Sequence, residues 1–293
     1  MSTPATRPPA FGEGQSACID LHTHSTASDG SRTPADLARA ASAAGLTAVA
    51  LTDHDTLDGL PEARAAAAET GIRLIDGIEL SAMEHGVETH MLGLHLGDTT
   101  ELSQRLIAVR EMRMTRAQRI VERLNALGIP VTFEAVLKES AGGAVGRPHV
   151  ARAMIAGGWA TDFREAFEKY LGNGKSAYIP KGTLALHDAI SLIHRAGGIA
   201  VLAHPGAGCT RERVVALVEL GLDGLEVLHP GHSWDEARRL DALASELGLV
   251  RSGGSDWHGA TDGARSLGMM RVPAQWLSDH DARVATRRSR RVA

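Results

Sequence analysis

Cysteine is nearly absent: the 293-residue chain carries only Cys18 and Cys209. That excludes a disulfide scaffold and a four-cysteine zinc knot. Aromatic residues are also few, with 4 Phe, 4 Trp and 2 Tyr, so stacking platforms for single-stranded nucleic acid are scarce. Excess positive charge is missing too. The formal net charge is -4, which argues against a generally basic nucleic-acid coat and leaves room for a local basic pocket. No apolar run approaches the roughly 20 residues that span a bilayer. The opening MSTPATRPPAFGEGQS lacks the apolar stretch of a secretory signal. These shortages predict a cytoplasmic protein with no membrane association and no obligate protein partner. Against them stand 14 histidines, which turn attention to metal chemistry.

Residues 1–16 are rich in Pro, Gly, Ser and Thr and read as a disordered extension. From there, short β-rich runs alternate with helical ones. Strands are expected at 17–22, 46–53, 72–80, 89–96, 198–204, 223–229 and 249–254. Thr33-Pro34-Ala35-Asp36 opens a helix as N-cap, N1 and capping-box residues, and further helices fall at 61–70, 184–196, 211–220 and 233–247. Near-continuous apolar strands alternating with helices predict an α/β fold, a closed or nearly closed parallel sheet covered by helices. The stretch 100–176 breaks the rhythm with helical periodicity at Leu102, Leu106, Ile120, Leu124 and Leu127. It reads as a helical lobe inserted into a barrel formed by 17–99 and 177–282. The segment 283–293, RVATRRSRRVA, reads as a frayed, solvated basic tail, or as an RNA-touching one.

In an α/β barrel, chemistry gathers at the C-terminal ends of strands. Strand ends and their loops here carry His22, His24, Asp29, His54, Glu79, His204, Asp256 and His258, with His90 near the start of the fourth strand. In His22-x-His24 and Asp256-x-His258, alternate residues of a strand point the same way. Each pair can therefore face one barrel mouth. Mixed imidazole and carboxylate ligands suit Zn²⁺, Mn²⁺ or Fe²⁺. Because carboxylates bridge ions, this set suffices for two or three metals. His85, His95, His187, His194 and His280 lack such a setting and read as surface or packing residues.

The run DLHTHSTASDG (20–30), LTDHDT (51–56), GIELS (77–81) with His90 beyond it, AHPG (203–206) and GSDWHG (254–259) resembles the PHP (polymerase and histidinol phosphatase) family. The resemblance implies a distorted (β/α)7 barrel with a di- or trinuclear metal centre. It assigns one ion to His22, His24, Glu79 and Asp256, and a second to Glu79, His90 and His204. A third falls to Asp29, His54 and His258. Asp20, Asp53 and Asp55 then read as orienters of ligand histidines.

Three divalent ions, less three carboxylates and a bridging hydroxide, leave roughly two positive charges, a match for a phosphate dianion attacked in line by that hydroxide. Arg147 and His149 follow the Gly-rich AGGAVG and precede a helix start, a place for a phosphate grip. Lys181 in YIPKG is either a second cation or a surface lysine. His232 in HPGHS either touches substrate, as a proton donor for instance, or packs. Arg147, His149, His232 and Asp29 are thus the candidate catalytic residues, and Arg147, His149, Lys181 and His232 the candidate substrate contacts. The strings GRPHVARAM and YIPKG resemble the PHP subfamily that acts as 3′,5′-nucleoside bisphosphate phosphatases and as 5′→3′ exoribonucleases on short RNA. Mn²⁺ is the expected metal. A histidinol-phosphate phosphatase, an amidohydrolase-type deaminase and a non-catalytic metal-stabilised RNA-binding module are the competing readings. LGNGKS (171–176) is rejected as a phosphate-binding loop, since Lys169 stands where that motif needs glycine. Cys209 lacks the phosphate-holding loop of a cysteine phosphatase.

Overall fold

A computed structural model describes residues 17–180 and 184–292. The expected disordered extension 1–16 and the candidate cation Lys181 lie outside the described residues. The chain opens with β1 (Cys18–Asp20), α1 (Pro34–Ala43), β2 (Ala48–Leu51), α2 (Leu60–Thr70), β3 (Arg73–Glu84) and β4 (Val87–Leu94). Thr33 caps α1, its hydroxyl accepting from the Asp36 amide at 3.1 Å. Gly71, at φ 73°, ends α2 in the left-handed conformation that a side chain would strain.

Four helical segments follow: α3 (Thr100–Ala126), α4 (Phe133–Ser140), α5 (Arg147–Ala156) and α6 (Phe163–Ala166), the last running into a π-turn at Phe167–Leu171. Then come β5 (Leu184–Ala185), α7 (Leu186–Arg195), β6 (Ile199–Leu202), α8 (Arg211–Glu219), β7 (Gly224–Leu228), α9 (Trp234–Glu246), β8 (Val250–Gly253), β9 (Val272–Pro273) and α10 (Trp276–Val292). The strands form one sheet in the order β8-β7-β6-β4-β3-β2-β1-β9, with β5 beside β3. Its ends nearly meet. The Leu21 amide donates to Gly253 O at 3.0 Å, and the His24 amide to Trp257 O at 2.8 Å. The result is a nearly closed, mixed α/β barrel. The two strands beyond the expected seven, β5 and β9, are two-residue pairings at its margins. Every residue of β2, β6 and β7 is buried, as strands covered on both faces must be.

One expectation is corrected. The sheet is not all parallel: β4 runs antiparallel to both β3 and β6. Only His85 and Gly86 separate β3 from β4, with φ 49° and 82°. Two residues in that conformation make a hairpin, whereas a parallel crossover needs a dozen or more.

The barrel core packs Ile19, Leu80, Met91, Leu92 and Leu225. A second apolar cluster, including Ile120, Leu124, Val150, Met154 and Leu171, lies within α3–α6 and the π-turn. Leu102 and Leu106, at the start of α3, pack instead into the barrel core. The C-terminal segment also differs from the frayed tail expected of it. α10 continues to Val292, with Arg287 Nε donating to buried Asp223 at 2.8 Å and Arg288 donating to Gly197 O and His95 O. A buried carboxylate for Arg287 and backbone carbonyls for Arg288 are partners that no local pattern reveals. Among the described residues, no helix is long and apolar enough to cross a membrane.

Candidate metal centre

The barrel mouth gathers the candidate ligands. His22 and His24 leave β1 on one face. His54 follows β2 and pairs as an isolated bridge with Glu79 of β3. His90 enters from the first half of the antiparallel β4, while His204, Asp256 and His258 follow β6 and β8. Glu79 is the hub. Its Oε2 lies 3.3 Å from Nε2 of both His22 and His24 and 2.9 Å from His54 Nδ1. Its Oε1 lies 2.8 Å from His90 Nδ1 and 3.1 Å from His204 Nε2. Asp256 Oδ1 is 3.2 Å from His24 Nε2, and Asp29 Oδ1 is 3.2 Å from His258 Nε2. Ligand atoms of His24, Asp29, His54 and His258 fall within 4.8 Å of one another, as do those of His22, His24 and Asp256 and those of His54, Glu79 and His90. His204 and Asp256 hold φ of 30° and 50°, a backbone cost of about 1–3 kcal/mol each that sites of chemistry tolerate.

These residues fit metal ions. His22 Nε2, both ring nitrogens of His24 and Glu79 Oε2 are buried with no hydrogen-bond partner among the described residues. A buried polar atom without a partner costs roughly 1–3 kcal/mol, and here several converge with lone pairs inward. Burial pushes the carboxyls of Asp29, Glu79 and Asp256 up, yet the surrounding histidines hold all three well below the ordinary range. They are therefore ionised and ready to ligate. Burial and the neighbouring His258 and His54 pull His24 down to about 4, leaving a neutral imidazole.

The groups that orient the ligands are not those expected. Glu226, fully buried in β7, accepts from His22 Nδ1 at 3.0 Å and turns its Nε2 inward. Against burial, which raises it, His22 and His229 pull Glu226 down to about 2. Glu88 engages His90 Nε2 at 3.1 Å, and Asp256 O engages His258 Nδ1 at 2.9 Å. His229 accepts the Gly231 amide on Nδ1 and sets Nε2 3.4 Å from Asp256 Oδ2, where half-exposed Arg265 also pairs. By contrast, Asp20 accepts backbone amides of Ser255 and Gly268. Asp53 holds Ser25 and Ser28, which frame the loop bearing Asp29. Asp55 takes the Ser81 amide and the guanidinium of Arg113, reaching in from α3. All three brace backbone or the insert rather than a histidine ring. Charged Glu226 inside the apolar run GLEVL was the available signal for the true orienter.

The candidate substrate residues divide. Arg147 Nη1 donates to Leu171 O at 3.2 Å and Asn173 Oδ1 at 3.0 Å, and Arg147 lines a cavity together with His90 and His204. His149 is 1% exposed, and its Nδ1 accepts the Gly146 amide at 3.0 Å, closing the turn before α5. His232 donates from Nδ1 to Val227 O and accepts the Gly206 amide on Nε2. Both rings are committed to holding loops, which is where the structure departs from a catalytic or substrate-contacting role for them.

Comparison with known proteins agrees with this geometry. A family model, the PHP domain, matches residues 20–173. The chain is 39% identical over 245 residues to a 5′-3′ exoribonuclease of Haemophilus influenzae, covering 82% of this chain and 89% of that protein. It is 38% identical over 260 residues to a 3′,5′-nucleoside bisphosphate phosphatase of Chromobacterium violaceum, covering 86% and 91%. A crystal structure of a metal-dependent phosphoesterase from Bifidobacterium adolescentis superposes with a TM-score of 0.84 at 34% identity, covering 94% of this chain and 98% of that one.

Proposed function

The chain belongs to the PHP domain family, and from that premise we propose a metal-dependent phosphoesterase that removes the 3′-phosphate of 3′,5′-nucleoside bisphosphates. Short 5′-phosphorylated RNA, cut from its 5′ end, is the second substrate. The reaction and its nucleotide substrates belong in the cytoplasm. The observation that carries the reading is the convergence of orphaned ligand atoms beside a cavity lined by Arg147.

His22, His24, Glu79 and Asp256 would hold one ion. Glu79, His90 and His204 would hold a second, and Asp29, His54 and His258 a third. Bound divalent ions, Mn²⁺ before Fe²⁺ or Zn²⁺, supply Lewis-acid stabilisation of phosphoryl charge and a water acidified into a nucleophile. The chain's own part is preorganisation. Glu226 and Glu88 fix the tautomers of His22 and His90, so that the inward nitrogen carries a lone pair. Arg147 offers a planar fork to a phosphate, which would keep the 5′-phosphate at a set distance from the reacting phosphorus. Full burial of His22, His24 and Glu79 keeps bulk water from these groups and strengthens the charge interactions among them.

The test is product release from adenosine 3′,5′-bisphosphate by Mn²⁺-loaded protein, beside the His24→Ala variant. AMP and phosphate from the wild type alone are expected. No phosphate release with the metals shown to be bound would overturn the assignment and direct the search to histidinol phosphate and then to amide substrates.

A further inference from the structure

Beside the metal centre lies a cavity of about 300 Å³ whose walls include His90, His204, Glu88 and Arg147, and also Arg213. Its volume sits at the low end of roughly 300–1,000 Å³ for small-molecule clefts, enough for one nucleotide end. Arg213 comes from the first turn of α8, on the barrel side. Nothing in its sequence context marks it.

The way Arg213 is held is informative. Its Nη2 and Nε donate to Glu84 Oε2 at 2.6 and 2.9 Å, and Nη2 also reaches Thr89 Oγ1 at 3.4 Å. One edge of the guanidinium is thus used up, while Nη1 has no partner among the described residues. The pair is mostly buried, at 26% and 15% side-chain exposure, unlike a mobile surface ion pair. Arg147 is held in a similar way. Nη1 is committed to Leu171 and Asn173, and the rings of Phe167 and Tyr178 flank the guanidinium at 5.7 and 5.6 Å. Each arginine is anchored by part of its fork and keeps donors to spare.

We propose that Arg213 is a specificity residue: with Arg147 it grips a terminal phosphate dianion while the other phosphate of the substrate reacts at the metal centre. Glu84 is its positioning residue. This rests on the phosphoesterase reading above. Each guanidinium already has a carboxylate neighbour, Glu84 or Glu88, so these four side chains carry no net charge. Selection therefore comes from directed N–H donors rather than from excess positive charge. Lysine should therefore replace Arg213 poorly, since an ammonium has no planar fork to hold Glu84 along one edge and a phosphate from the other.

The test measures binding of AMP and of adenosine to Mn²⁺-loaded wild type, Arg213→Ala and Arg213→Lys. KM for adenosine 3′,5′-bisphosphate and for adenosine 3′-monophosphate is measured in parallel. Losing charge-assisted hydrogen bonds should weaken AMP about 10- to 100-fold in both variants while adenosine moves little. The KM advantage of the bisphosphate over the monophosphate should shrink by a similar factor. Equal weakening of AMP and adenosine, or a lysine variant that binds AMP as wild type does, would overturn the proposal and leave Arg213 as a brace for the β3–β4 hairpin. If the wild type cleaves no bisphosphate, the AMP arm still decides the role of Arg213, so the two failures remain distinguishable.

Discussion

The two ends of the barrel bury the same kinds of groups and treat them in opposite ways. At the floor, Asp223 is fully buried, accepting from His194 Nε2 at 2.8 Å, the Ala200 amide at 3.0 Å and Arg287 Nε at 2.8 Å. At the mouth, Glu79 is as deeply buried, but its Oε2 faces histidine nitrogens without a hydrogen bond. The floor is a satisfied network that ties α10 to the strands. The mouth gathers ligand atoms that could hold metal ions. Burial and residue type do not separate these two carboxylates; hydrogen-bond satisfaction does.

That comparison makes its sharpest prediction at the hubs. Glu79→Gln should release metal and lower kcat/KM at least ~1,000-fold, with far-UV circular dichroism retained; metal content and single-substrate kinetics check it. Asp223→Ala should do the reverse. Removing one partner of a buried ionic network costs about 3–5 kcal/mol, a fall of roughly 10 °C in Tm, while metal content and turnover of the folded fraction at 25 °C persist. Loss of activity in Asp223→Ala as complete as in Glu79→Gln would erase the distinction between the two ends.

The floor also carries a pH dependence of its own. The rings of His95 and His280 meet edge to face with centroids 5.5 Å apart, near Asp281, Arg73 and Arg288. Burial first, and His280 second, pull His95 down to about 3. The unfolded chain keeps a value near 6.5, so between these values it binds the extra proton and the folded chain does not. Stability from this site is full above about pH 6.5 and drains as pH falls toward 3, by about 2 kcal/mol at pH 5. Asparagine tolerates the φ of 60° at position 95. Urea midpoints of metal-free wild type and His95→Asn at pH 7.5 and 5 should therefore show a shallower pH slope in the variant. Parallel slopes would assign the acid sensitivity elsewhere.

The sequence made the mouth far more legible than the floor or the second layer. Ligand pairs such as His22-x-His24 lie within one strand end, where period-two geometry alone brings them to one face. The hairpin at His85-Gly86 was missed because β4 has the same apolar content as a parallel strand and only the short turn betrays its direction. Asp223 with Arg287, and Arg113 with Asp55, join residues far apart in the chain, so no local pattern announces them. His149 and His232 were chosen for their proximity to motifs, and proximity does not tell whether a ring faces a cleft or closes a turn.

Glu226 gives the smallest expected effect and the finest test of the comparison. Like Asp20, Asp53 and Asp55 it is a mouth carboxylate with its acceptors in use, but it acts on ligand residues: Oε1 meets His22 Nδ1 and Oε2 takes the His204 amide at 2.6 Å. It thereby serves two candidate ligands at once, one through its ring and one through its backbone amide. Glu226→Gln keeps an acceptor but loses the charge and one of the two acceptor oxygens, so either His22 or the His204 loop goes unserved. Metal affinity should fall about 10- to 100-fold, the usual cost of losing an outer partner of a metal-ligating histidine. Excess Mn²⁺ should restore most turnover, which it cannot do for Glu79→Gln. Titrating metal against activity in both variants separates a group that orients ligands from one that is a ligand. Failure of added metal to rescue Glu226→Gln would move Glu226 into the ligand set and show that satisfaction in the resting protein is an incomplete guide to role.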